Sequence, residues 1–151
     1  MLTNPDPFFA VIHHLAILSV FGCLLAELAL LRLAPGPAWV ELLARIDLAY
    51  GIAAVVTLGV GVARVVWGIK GPAFYADNPV FWLKLGLFVL IGLISVIPTL
   101  GYLSWRRGVR ASGALPGRAE VARLRRWVAV QVPLFAGLPS LAVLMARGIG
   151  H

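Results

Sequence analysis

The chain has 151 residues, 61% hydrophobic and 13% charged, with net charge +7 and mean hydropathy +0.95. Soluble domains average about 45–50% apolar and about 25% charged, and one of this size exposes too much surface to hide that much apolar material. An ordinary soluble enzyme and a disordered chain are therefore excluded. So is a disulfide scaffold, because Cys23 is the single cysteine.

A bilayer core of about 30 Å needs about 20 apolar helical residues per crossing. Four segments meet that length: about 8–33, 43–68, 79–105 and 121–146. The first carries Asp6 where a signal peptide has a basic region, and it is too long for the apolar stretch of one, so it reads as a mature helix. Ala34-Pro35-Gly36-Pro37 breaks the first pair of helices, and Gly71-Pro72 with Asp77-Asn78-Pro79 breaks the second. Asn78 suits an N-cap and Pro79 the first helical position. The only sizeable connection runs from Arg106 to Glu120. The expectation is an all-α bundle of four transmembrane helices, one domain over residues 1–151.

Orientation follows from the basic residues. The side holding the first and third connections collects Arg32, Arg45, Arg106, Arg107, Arg110, Arg118, Arg123, Arg125 and Arg126. The other side holds Arg64, Lys70, Lys84 and Arg147. Nine against four places both termini on the non-cytoplasmic side of a bacterial inner membrane. The net charge then serves insertion and contact with anionic lipids at the third connection, not nucleic acid.

Ionisable groups inside spans are costly, about 2.5–3.5 kcal/mol each on insertion scales, and are functional candidates by default. They fall into two layers. Toward the cytoplasm lie Glu27, Arg32, Arg45 and Asp47. That layer reads mainly as structural, with Arg45 available to Glu27 and Asp47 in the first turn of its helix, where the macrodipole favours a carboxylate. Toward the outside lie His13, His14, Arg64, Lys84 and Arg147. His14 and Lys84 sit at comparable depth, about 9 Å and about 7.5 Å from their helix starts. Ala49, Ala53, Thr57 and Gly61 recur every four residues, a small-residue ladder for close helix approach, and Arg64 continues the face of Ala53 and Thr57. His13 and His14 point about 100° apart, so one of them faces any given site.

An imidazole in a helical bundle can ligate haem iron, and a nearby Lys and Arg can neutralise propionates. Met145 is a possible second ligand and His151 a weak one; a five-coordinate iron or a ligand from a second copy also fits. Cys23 and Gln131 read as packing residues, and Pro133 and Pro139 as kinks in the last helix. No CxxC, HExxH, Walker A or GxGxxG pattern occurs.

The runs His13-His14-Leu15-Ala16, Asp47-Leu48-Ala49-Tyr50-Gly51, Lys70-Gly71-Pro72-Ala73-Phe74-Tyr75 and Asn78-Pro79-Val80-Phe81-Trp82-Leu83-Lys84-Leu85, with Pro98-Thr99, resemble a family of small bacterial four-helix membrane proteins of unassigned function. More distantly, a first-helix His with Lys84-Leu85-Gly86-Leu87 looks like the haem-b protoporphyrinogen IX oxidase and the copper-resistance D membrane domain. That likeness implies a functional centre with His14 and Lys84 at the matching positions and His13 as competitor. The oxidase's aromatic-rich motif around the first helix is missing. The resulting expectation is a haem b or tetrapyrrole site with a redox role: His14 as axial ligand, Lys84 and Arg64 as anion partners, Met145 behind them, with a homodimer or membrane redox partner. The alternatives are a small channel or metal-handling protein, and a non-enzymatic membrane partner protein.

Overall fold

A computed structural model describes residues 5–149. It contains five helices in that range: α1 (Asp6–Leu30), α2 (Pro37–Trp67), α3 (Gly71–Ala76), α4 (Pro79–Ser112) and α5 (Arg118–Ala146). The four long ones are each apolar enough to cross a bilayer. The expected all-α, four-span architecture is therefore what the chain forms.

The helices run past the expected boundaries wherever the apolar run ends before the helix does. α2 starts at Pro37 rather than near 43, because Gly36 is an extended N-cap and proline is preorganised for the first turn. α4 reaches Ser112, and Gly113 ends it in the left-handed region at φ 72°. At 31 and 34 residues, α2 and α4 are about 46 and about 51 Å long, so their ends project beyond a ~30 Å apolar core. The Asn78 cap forms as expected, its side chain accepting from the Val80 N–H at 2.8 Å. The short α3 was not expected; it fills the turn between α2 and α4.

α1 packs along α2 and α4 along α5, each pair antiparallel across its connection, while α2–α4 and α1–α5 contacts close the ring. One end of the bundle carries the start of α1, α3 and the end of α5 (the terminal end). The other carries the connections 31–36 and 113–117 (the loop end). Val20, Leu24, Leu43, Ile91, Leu124 and Val128 fill the centre, while Leu18, Val55, Leu93 and similar side chains stand on the outside, where a bilayer would solvate them. At the loop end Trp39 stacks on Trp105 with ring centroids 5.7 Å apart, and its indole N–H donates to the Leu30 carbonyl at 2.7 Å. That bond satisfies one of the free carbonyls at the end of α1.

Candidate functional site

The terminal end gathers the residues that sequence singled out on α1, α2 and α4. His13, not His14, turns toward the bundle: its Cε1 lies 3.2 Å from where a Cβ on Gly61 would stand. The small-residue ladder of α2 explains this. Thr57 is buried and Gly61 leaves room for the ring, though Ala49 on the same ladder is exposed. His13 Nδ1 is buried and makes no hydrogen bond. The Lys84 ammonium and the Arg64 guanidinium are both within electrostatic reach of the imidazole. Arg64 meets Asp6 at 3.4 Å; none of the ion pairs among the described residues includes Lys84.

His14 lies instead on the exposed side of α1, its Nδ1 2.6 Å from the carbonyl of Ala10 one turn earlier. The expected axial-ligand role at His14 therefore does not match its placement, because the successive 100° step carries it off the inward face. Met145 is buried on α5, which packs on α1. His151 lies outside the described residues. Tyr75 on α3 closes the layer between Arg64 and Asp6. Burial pushes its phenol above the usual range; Arg64 opposes that shift and Asp6 adds to it. The Asn78 carboxamide is fully buried, and its Nδ2 has no hydrogen-bond partner.

The loop-side half departs from expectation. Arg45 does not pair with Glu27. It is exposed on the rim, 3.5 Å from Glu41 one turn earlier. Glu41 also takes two bonds of 2.9 Å from Arg106 and one of 3.4 Å from Arg110. Asp47 is not in a first turn either, since α2 begins ten residues before it. Both acids are held by hydroxyls. Tyr102 donates to Glu27 Oε2 at 3.1 Å, and Thr99 donates to Asp47 Oδ1 at 2.8 Å. Tyr50 donates to Gln131 Oε1 at 3.1 Å. The Tyr102–Glu27 bond joins α4 to α1 and the Tyr50–Gln131 bond joins α2 to α5, so the two cross the bundle on opposite diagonals.

Several of these residues were missed or underrated. Glu41 had a signal in its spacing, four residues before Arg45. Tyr102 had one as well, because it extends the α4 stripe of Lys84, Ile91 and Ser95. Gln131 was read as packing and is buried, yet it is a hydrogen-bonding partner. Tyr50 and Thr99 stand in the runs that carry the family resemblance, but nothing in their spacing assigns them a partner.

Four bilayer-length apolar helices with a polar interior define a helical integral membrane protein. The family model described as "Predicted membrane protein (DUF2214)" matches residues 6–150, and the chain belongs to that family. No curated protein and no solved structure matches it. The fainter likeness to the haem-b oxidase and the copper-resistance D domain therefore gains no support from these comparisons.

Proposed function

We propose that the protein is a binding protein of the bacterial inner membrane, both termini outside, whose terminal end takes an anionic, membrane-dissolved ligand. Haem b or a related tetrapyrrole with a redox role is the specific candidate. The observation that carries the reading is His13: an inward imidazole with a buried, unbonded Nδ1, flanked by Lys84 and Arg64. Such a set offers one neutral nitrogen donor and two cations in a low-dielectric layer, where charge-assisted bonds to carboxylates are strong. His13 takes the ligand role expected of His14, and Lys84 is the freer anion partner, because Arg64 is shared with Asp6.

A tetrapyrrole fits this set in part. The imidazole and the two cations suit the iron and the propionates, whereas the His13 ring edge lies against Gly61. When bound, haem would supply one-electron chemistry; this chain would fix its orientation through His13 and balance its carboxylates through Lys84 and Arg64. At the loop end, Arg32, Arg118 and Arg125 line a recess of about 510 Å³ that suits an anionic lipid headgroup.

Absorption spectra of the protein purified after expression with ample haem test the reading. A Soret band is expected, lost in His13→Ala and kept in His14→Ala. Metal-free protoporphyrin IX separates anion recognition from iron ligation, and its binding is expected to fall in Lys84→Met. Absence of a Soret band in the wild type removes haem. Absence of protoporphyrin binding as well removes the site, and favours the channel, metal-handling or partner-protein alternatives.

A further inference from the structure

A cavity of about 530 Å³ lies away from His13, between α2 and α4 in the middle of the bundle. Exposed Leu48, Ile52 and Val55 form part of its wall, so its mouth opens on the surface that meets lipid. Its interior is aromatic and aliphatic, with Phe88 and Phe135 among the lining residues. Four polar groups interrupt that lining: Asp47, Tyr50, Ser95 and Thr99.

Asp47 is the unusual member. It is 8% exposed and is one of the residues lining the cleft. Thr99 occupies Oδ1, and among the described residues no hydrogen bond reaches Oδ2. Behind it, within electrostatic reach, stands Glu27, 2% exposed, with Oε1 bonded to nothing. All ion pairs among the described residues go to Glu41 or Asp6, so neither buried acid has a cation. Intramembrane acids are nearly always paired with a cation or turned to a ligand path.

We propose that this cleft binds a membrane-dissolved organic ammonium cation, a protonated amine on an apolar body. The charge complements Asp47, and the N–H groups supply the donors that Asp47 Oδ2 lacks. The Tyr50, Ser95 and Thr99 hydroxyls surround the head, and Phe88 and Phe135 offer ring faces to the cation or the body. A volume of about 530 Å³ is that of a typical small-molecule site, which buries most of a ligand's surface against apolar walls with a few placed polar groups. A bare metal ion fits less well. No group of three His, Cys, Asp or Glu residues occurs among the described residues, and hard cations require about six oxygen ligands. A lipid acyl chain could fill the space but would leave Asp47 Oδ2 without a donor.

The test uses the full chain in nanodiscs of zwitterionic phosphatidylcholine, with 1-naphthylmethylammonium as probe and the neutral 1-naphthylmethanol as its control. Saturable binding of the amine is expected, with the alcohol roughly tenfold weaker or worse, the loss typical of one charge-assisted bond. Asp47→Asn keeps the shape and removes the charge, and should weaken the amine to the level of the alcohol. Gly92→Phe is the second variant. Gly92 lines the cleft and an added Cβ there meets nothing within 4 Å, so the ring obstructs the cavity without disturbing the core. It should abolish binding of both probes. Equal binding of amine and alcohol, no saturable binding by the wild type, or unaltered binding in Gly92→Phe would each overturn the proposal. His13→Ala should leave all of these values unchanged, which keeps the outcome separate from that of the terminal-end site.

Discussion

The two halves of this bundle handle intramembrane charge in opposite ways. At the terminal end, basic groups outnumber acids: Arg64 and Lys84 surround His13, with Asp6 on Arg64. In the loop-side half the interior is acidic, with Glu27 and Asp47 held by hydroxyls and no cation reaching either. Only the exposed rim beyond it, where Glu41 meets three arginines, is paired as a soluble surface would be. The rim charges keep water within reach, so their pairing contributes little and asks little of the fold. The interior groups lie away from that water. Each is retained against a cost, and its sign differs from one half to the other: basic groups gather at one end, acids in the middle.

The largest expected effect lies in the packing of the loop-side half. On α4, a Cβ at Gly101 would overlap the side chain of Leu124 on α5, itself 1% exposed. Gly101→Val is expected to cost about 1–3 kcal/mol, the usual penalty of overpacking. Thermal or denaturant unfolding in detergent measures it. The same change at Gly86, where an added Cβ meets nothing within 4 Å, should cost far less. Equal costs at the two glycines would remove the distinction.

A smaller effect is expected at the Tyr102–Glu27 bond. Tyr102→Phe preserves the ring and its packing 5.7 Å from Trp105, but leaves both Glu27 oxygens without a donor. Hydrogen bonds between membrane helices average about 0.6 kcal/mol, and an orphaned buried acceptor costs about 1–3 kcal/mol, so about 1 kcal/mol of lost stability is expected. Adding Glu27→Gln to Tyr102→Phe should recover part of it, because a neutral amide is cheaper to leave in an apolar interior. No recovery would mean that the acid is not what the phenol stabilises.

Much of this arrangement was legible in the sequence, and the failures have physical causes. Four spans follow from apolar run length, and the cap at Asn78 from turn chemistry. Helix ends were misplaced at Pro37 and Ser112 because hydropathy reports where lipid ends, whereas a helix continues through Glu41, Arg106 and Arg110 on their own propensity and pairing. The two-layer division of charge survived, but partners did not. Glu27 and Arg45 lie on helices joined by a short connection, yet the 100° step sends Arg45 to the rim and Asp47 inward. Rotation about a helix axis is weakly encoded when nearly every position is apolar, which is why His13 and His14 could not be separated until Gly61 showed which ring it accommodates.

The smallest effect, and the one of opposite sign, is expected at Lys84. It reaches into the terminal-end layer near Arg64, a like charge, and it takes part in no ion pair among the described residues. A residue kept for stability would lower stability when removed, as Tyr102 should. A cation kept for a ligand should do the reverse, since replacing it by an apolar side chain of similar length removes both desolvation and repulsion. Lys84→Met is therefore expected to leave the unfolding midpoint unchanged or slightly higher while lowering the affinity for protoporphyrin IX. Measuring both on one preparation separates the roles. A clear loss of stability in Lys84→Met would make the lysine part of the scaffold, and the contrast between a basic end kept for a ligand and an acidic interior would then fail at its weakest point.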